Sequence, residues 1–181
     1  ECPYKSPTDM GVNMVGNCIT DDSAVMEASR QEIIRRYYDA LCEQKKGKAV
    51  DQAVQKLELL MKKVGTSPDA RRVVAPALER AEATGEPAAA MELPDGTIIT
   101  SRTSSLLGPC AALILNATKH LAGLAHTVKL IPEEMIAPIQ KTKVNYLHGH
   151  NPRLHTDEVL VAISMLSNND ENCRKALDQL P

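Results

Sequence analysis

Between Asp21 and Gly65, apolar residues recur every three or four positions, the spacing that gathers them on one face of a helix. Met26, Ile33, Ile34, Tyr37, Leu41 and Cys42 form a first stripe, with Glu27, Arg30, Glu32, Arg35 and Arg36 between them and Asp21-Asp22 as the cap. Val50, Val54, Leu57, Leu60, Met61 and Val64 form a second stripe that Gly65 closes. The joint around Gly47 is short, so the pattern predicts two antiparallel helices in a hairpin. Ser67-Pro68 predicts a third helix, with Pro76 breaking or kinking it before Thr84-Gly85.

The period changes after Pro87. Ala88 to Leu93 and Thr97 to Ser101 flank Pro94-Asp95-Gly96 and predict a β-hairpin. A joint rich in serine and threonine leads to a helix predicted from Leu106 to Leu121, apolar all round and so expected to be covered on both sides. Val128 to Ile131 predicts a further strand, and Pro132-Glu133-Glu134 starts another helix. A loop from His148 to His155 leads to Thr156, the expected cap of a helix carrying Val159, Leu160, Ile163 and Leu166. A last short helix holds Cys173, Ala176, Leu177 and Leu180. The first twenty residues, with Pro3, Pro7, Gly11 and Gly16, predict an irregular segment. Residues 1–84 are therefore expected to form an irregular leader and a helical subdomain, and residues 85–181 a mixed α/β subdomain of three or four strands.

Composition narrows the partners. The chain has four Tyr but no Phe and no Trp, which removes the aromatic platforms on which single-stranded nucleic acid stacks. Its net charge of -2 offers no broad basic field to nucleic acid or anionic lipid. The longest apolar run, Ala111 to Leu115, is too short to span a bilayer. Neither nucleic acid nor membrane is an expected partner. Five scattered cysteines without a C-x-x-C pair suggest neither a zinc ribbon nor a disulfide framework, and a reducing cytoplasm is the simplest setting. The chain begins at Glu1 rather than Met and stops just after a helical pattern, so it reads as a piece of a longer protein.

Three stretches carry a resemblance. They are Tyr4-Lys5-Ser6-Pro7-Thr8-Asp9-Met10-Gly11-Val12-Asn13, then Arg30-Gln31-Glu32-Ile33-Ile34-Arg35-Arg36-Tyr37-Tyr38, and Asn151-Pro152-Arg153-Leu154-His155-Thr156-Asp157-Glu158-Val159-Leu160. Glu92-Leu93-Pro94-Asp95-Gly96 and Thr103-Ser104-Ser105-Leu106-Leu107-Gly108 fit as well. Together they resemble a bacterial family, the domain of unknown function numbered eighteen forty-six. The resemblance implies that the chain is the C-terminal portion of a longer protein, with the missing N-terminal portion as its partner. That portion carries a glycine-rich segment similar to a phosphate-binding loop, which this sequence lacks. Some members carry a zinc-protease designation, yet no H-E-x-x-H occurs here.

Three polar clusters are candidate sites. At the joint, Arg102, Thr103, Ser104 and Ser105 precede a helix start, where unpaired N–H groups, hydroxyls and a guanidinium suit a phosphate or carboxylate. The order of hairpin, polar joint, long helix and strand resembles the cytidine deaminase-like α/β sandwich. Zinc deaminases need H-x-E at the joint and P-C-x-x-C after it. Here the joint holds Thr and Ser, and Leu113 stands where a second cysteine is required. The fold is expected without its zinc ligands.

The second cluster runs from His148 to Glu158. His155 and Asp157 are the candidate catalytic pair, a proton-transferring group and its orienting partner, with Arg153 as a substrate contact. His148, His150 and His155 form a lesser metal alternative whose spacing matches no standard zinc pattern, and no metal centre is assigned. In the third cluster, Thr8, Asp9 and Asn13 offer hydroxyl, carboxylate and amide groups to a ligand. Cys110 reads as a structural cysteine. The leading expectation is part of an enzyme that binds a phosphorylated small molecule or nucleotide in a cleft shared with the missing portion, its cofactor undetermined. The competing expectation is a non-catalytic assembly or regulatory module. Helices rich in Met and Ala suit the packing between subunits that this second reading needs, and a homo-oligomer is expected.

Overall fold

The computed structural model describes residues 21–180. They divide between Arg71 and Arg72 into two compact units. The first holds helices α1 (Asp22–Lys45) and α2 (Asp51–Val64) and a 3-10 turn at Pro68–Ala70. Asp21 caps α1 by accepting the Ala24 N–H at 2.9 Å. Gly65, at φ 66°, ends α2 in the left-handed conformation, with the Thr66 N–H returning to the Met61 carbonyl. The expected hairpin forms, and its core is Ile33, Ile34 and Met61, flanked by Tyr37, Tyr38, Leu57, Leu60 and Val64. Met26 and Cys42 lie outside it, exposed at the two ends of the stripe. On the solvent face, Glu32 accepts from both Arg35 and Arg36 at 2.8 Å, and these hydrogen bonds hold its carboxyl down at about 2.

The second unit begins with α3 (Val74–Thr84), followed by strands β1 (Ala88–Glu92) and β2 (Ile98–Arg102). The expected third helix therefore starts later than Ser67-Pro68. Pro76 neither breaks nor kinks it, because Pro76 falls in the first turn, where a missing N–H costs nothing. Helix α3 packs on both strands. This is why the boundary lies before it, at Arg71, rather than after Thr84. The hairpin is antiparallel, pairing Ala88 with Arg102 and Glu92 with Ile98. Its turn is tied by Leu93 N–H to the Thr97 carbonyl at 2.8 Å, and by Asp95, which accepts the Thr97 N–H at 2.9 Å. Gly96 takes φ 83° there, a conformation that favours glycine.

Helix α4 (Pro109–Leu121) packs across both strands, then α5 (Glu133–Lys141) runs into a π turn (Thr142–Tyr146). Helices α6 (Thr156–Leu166) and α7 (Glu171–Leu177) follow, and both touch α4. The core of this unit joins Ala111 and Leu115 of α4 to Leu154, Val159, Ile163, Cys173 and Ala176.

Two expectations are corrected here. Val128 to Ile131 is not a strand: Leu130 and Ile131 are buried in the helical core, and the Leu130 carbonyl accepts the Cys173 thiol at 3.0 Å instead of a partner strand's N–H. Among the described residues the sheet is two-stranded. That leaves no basis for the deaminase-like sandwich, which needs a central multi-stranded sheet. The fold is a mixed, helix-rich α/β one with a small antiparallel sheet. No described helix is long and apolar enough to cross a membrane.

Candidate anion-binding site

The polar joint and the histidine loop are far apart in sequence, and a parallel bridge between Leu107 and Leu154 brings them together. Leu154 N–H donates to the Leu106 carbonyl at 2.9 Å, and Gly108 N–H donates to the Leu154 carbonyl at 3.0 Å. Each bridged segment becomes a helix two residues later, at Pro109 and at Thr156. Because the bridge is parallel, α4 and α6 begin side by side. A β-carbon placed on Gly108 would stand 3.6 Å from the Leu154 oxygen and 4.0 Å from the His155 ring. Helix starts carry unpaired N–H groups and partial positive charge. In α6 that charge faces first-turn Asp157 and Glu158. In α4 the N-cap is Gly108, with no capping side chain and no acidic residue in the first turn.

The joint does less at its outer end. Thr103 is buried, and its hydroxyl donates to the Pro87 carbonyl at 2.9 Å. The Ser104 hydroxyl accepts the N–H groups of Leu106 and Leu107 at 3.2 and 3.0 Å. Ser105 is exposed, its carbonyl accepting from Gln140. Exposed Arg102 reaches the Thr103 carbonyl at 3.3 Å. Two of the three predicted hydroxyls therefore serve the backbone of the joint itself.

Arg153 makes the decisive contact. Its Nε donates to the Ser104 carbonyl at 2.7 Å, which pins the guanidinium against the joint. Its terminal nitrogens make no hydrogen bond among the described residues. Asn151 accepts the Arg153 N–H through Oδ1 at 3.1 Å and turns Nδ2 toward His155 Nε2 at 3.2 Å. His155 is also the N-cap of α6, in a capping box with Glu158, and its ring is tied to Asn151 in the loop. The partner that orients His155 is thus Asn151. Asp157 stands close by but makes no hydrogen bond to the ring among the described residues.

Lys143, in the π turn, closes the back of the loop. Its ammonium donates to the Arg153 carbonyl and to Glu158 Oε2, both at 2.8 Å. Glu158 also accepts the His155 N–H at 2.7 Å. Burial pushes the Glu158 carboxyl up, but Lys143 and the His155 N–H outweigh it and leave the carboxyl below its usual range. His155, Asp157 and Glu158 place ligand atoms within 4.8 Å of one another. The Lys143 ammonium on Glu158 occupies the charge a cation would need. His148 and His150 do not belong to that group.

Ser104, Arg153, His155 and Asp157 are therefore gathered in one place, while Arg102 and Thr103 are engaged elsewhere. Thr8, Asp9 and Asn13 lie outside the described residues. Lys143 and Asn151 were not among the expected site residues. Asn151-Pro152 is a turn signal that marks Asn151, whereas nothing local in sequence singles out Lys143.

Residues 69–181 match the family model described as domain of unknown function DUF1846, C-terminal, and residues 1–65 match its N-terminal counterpart. The chain belongs to the DUF1846 family. It is not confined to the family's C-terminal part, as the resemblance implied, because the first sixty-five residues carry the N-terminal match. The UPF0371 protein cu0538 of Corynebacterium urealyticum is 54% identical over 178 residues, covering 98% of this chain and 36% of that protein. A UPF0371 protein of Corynebacterium glutamicum is 52% identical, and UPF0371 protein SpyM50764 of Streptococcus pyogenes 50%, each with the same coverage. The chain thus spans 36% of the length of these relatives.

Proposed function

We propose that the start of α4, with Arg153 from the loop before α6, binds the anionic group of a phosphorylated small molecule or nucleotide, as part of an enzyme whose cleft is completed by the rest of the longer DUF1846 chain. The observation that carries this reading is the Arg153 Nε contact with the Ser104 carbonyl at 2.7 Å. It ties the guanidinium to the joint that runs into the uncapped first turn of α4. Such a start and an arginine fork match the geometry of a phosphate or carboxylate. In the reaction His155 hands a proton to, or takes one from, the bound group, and Asp157 supplies the nearby negative charge that stabilises the protonated ring.

A thermal-shift screen of the intact protein against nucleotides, sugar phosphates and divalent metals tests the reading. A ligand at a hundred times its dissociation constant adds about 2.7 kcal/mol of stability. Stabilisation by phosphorylated compounds supports it, and stabilisation by metals alone counts against it.

One observation favours the assembly reading. Val161 and Met165 of α6 are 61% and 69% exposed, beside shallow grooves that Leu160 and Ile139 line. Light scattering decides this alternative: an intact protein that is strictly monomeric removes it.

A further inference from the structure

Away from the paired helix starts, Lys119 in the last turn of α4 stands between two open clefts. The first is a groove of about 310 Å³ with largely apolar walls that include Leu107, Leu115, Val128 and Ile136. The second, about 380 Å³, has Thr100, Asn116, His120 and His126 on its walls. Lys119, Asn116 and His126 line both.

The charge balance of the first groove is uneven. Lys129 and Glu133 both line it and answer each other at 3.1 Å. Lys119 has no carboxylate within 4.0 Å among the described residues. Its ammonium makes one hydrogen bond there, to the His126 carbonyl at 3.0 Å, although it carries three donors. Asn116, one turn earlier, donates Nδ2 to the Thr100 carbonyl at 3.2 Å. The Lys119 charge is also partly withdrawn from water, and burial lowers its pKa. A half-buried ammonium without a counter-charge, at the edge of an apolar groove, complements a ligand that is negative at one end and apolar along its body.

We infer that this groove is a second binding site, for a small organic acid with an apolar chain, whose carboxylate pairs with Lys119 and whose chain lies along Leu107, Leu115 and Val128. The site is independent of Arg153 and His155. Lys119 holds the acid while its existing bond to the His126 carbonyl keeps the loop after α4 in place.

The test is calorimetric titration of the intact protein with octanoate, and with octanol as the neutral counterpart of equal chain length. Octanoate should bind about tenfold or more tightly than octanol, the worth of one charge-assisted hydrogen bond. Hydrogen exchange should slow on octanoate binding in the segment from Leu124 to Ile131. Lys119→Met keeps the apolar stem and should erase the preference for octanoate, whereas Lys119→Arg should retain it. Equal binding of the two probes overturns the inference. So does protection elsewhere in the chain, or a preference that survives in Lys119→Met. If Lys119→Met does not fold, the comparison of the two probes on the unaltered protein still decides.

Discussion

Leu107 and Leu154 pair in a parallel bridge, and that pairing sets the starts of α4 and α6 next to each other. The bridge joins packing to the site. Leu154 is fully buried in the core with Val159, Ile163 and Cys173, while its neighbours Arg153 and His155 turn their side chains to the Ser104 carbonyl and to Asn151. Moving Leu154 therefore moves both proposed site side chains.

Leu154→Ala should lower stability by about 2–5 kcal/mol, the range for emptying a well-packed core position. Urea denaturation of the intact protein measures it. A loss of a few tenths would mean that the bridge does not depend on this side chain.

Cys173 should be inert in the folded protein. It is fully buried with its thiol on the Leu130 carbonyl, and burial, then the nearby Asp170 carboxylate, pushes the thiol up to about 11. Cys42 and Cys110 are exposed and free. A thiol-reactive disulfide at neutral pH should label those two at once and reach Cys173 only on unfolding. Mass spectrometry of the digested, labelled protein reads the outcome.

Glu158→Gln should cost about 1–2 kcal/mol at neutral pH, because it weakens charge-assisted bonds from Lys143 and the His155 N–H. The folded carboxyl sits below its ordinary value, so its stabilisation is fully present above the usual glutamate range. It fades as the pH falls through that range to the lowered value. The stability gap between the unaltered protein and Glu158→Gln should therefore close on acidification. A gap constant with pH would contradict the assignment.

Asn151→Ala should free the His155 ring. With Asn151 in place, Nε2 of the ring is held 3.2 Å from the amide, and nitrogen-15 NMR of the imidazole reports which ring nitrogen carries the proton. The substitution should change the tautomer ratio. An unchanged tautomer ratio would show that Asn151 does not orient the ring.

Local signals carried the helical hairpin and the β-hairpin. Gly47, Gly65 and the Pro94-Asp95-Gly96 turn each demand backbone that only a few residues allow, and the stripes of Ile33, Ile34 and Met61 have helical spacing. Long-range pairing was not legible. Leu106 and Leu107 look like helix residues by apolarity, but the bridge to Leu154 claims their backbone, so α4 begins at Pro109. Leu130 and Ile131 read as a strand because a short buried apolar run has no period of its own. At the site, the residue types at Arg153, His155 and Asp157 stood out. The hydroxyls of Thr103 and Ser104 looked free only because sequence does not show which carbonyl or N–H they face. Lys143 was invisible for the same reason, since its partners lie ten and fifteen positions away.

The most direct test of the anion site is calorimetric titration of the intact protein and of Arg153→Met with inorganic pyrophosphate. The account predicts saturable binding to the unaltered protein and an affinity about tenfold or more weaker in Arg153→Met, at unchanged melting temperature. Equal affinity in the two proteins, or no binding to either, would contradict it.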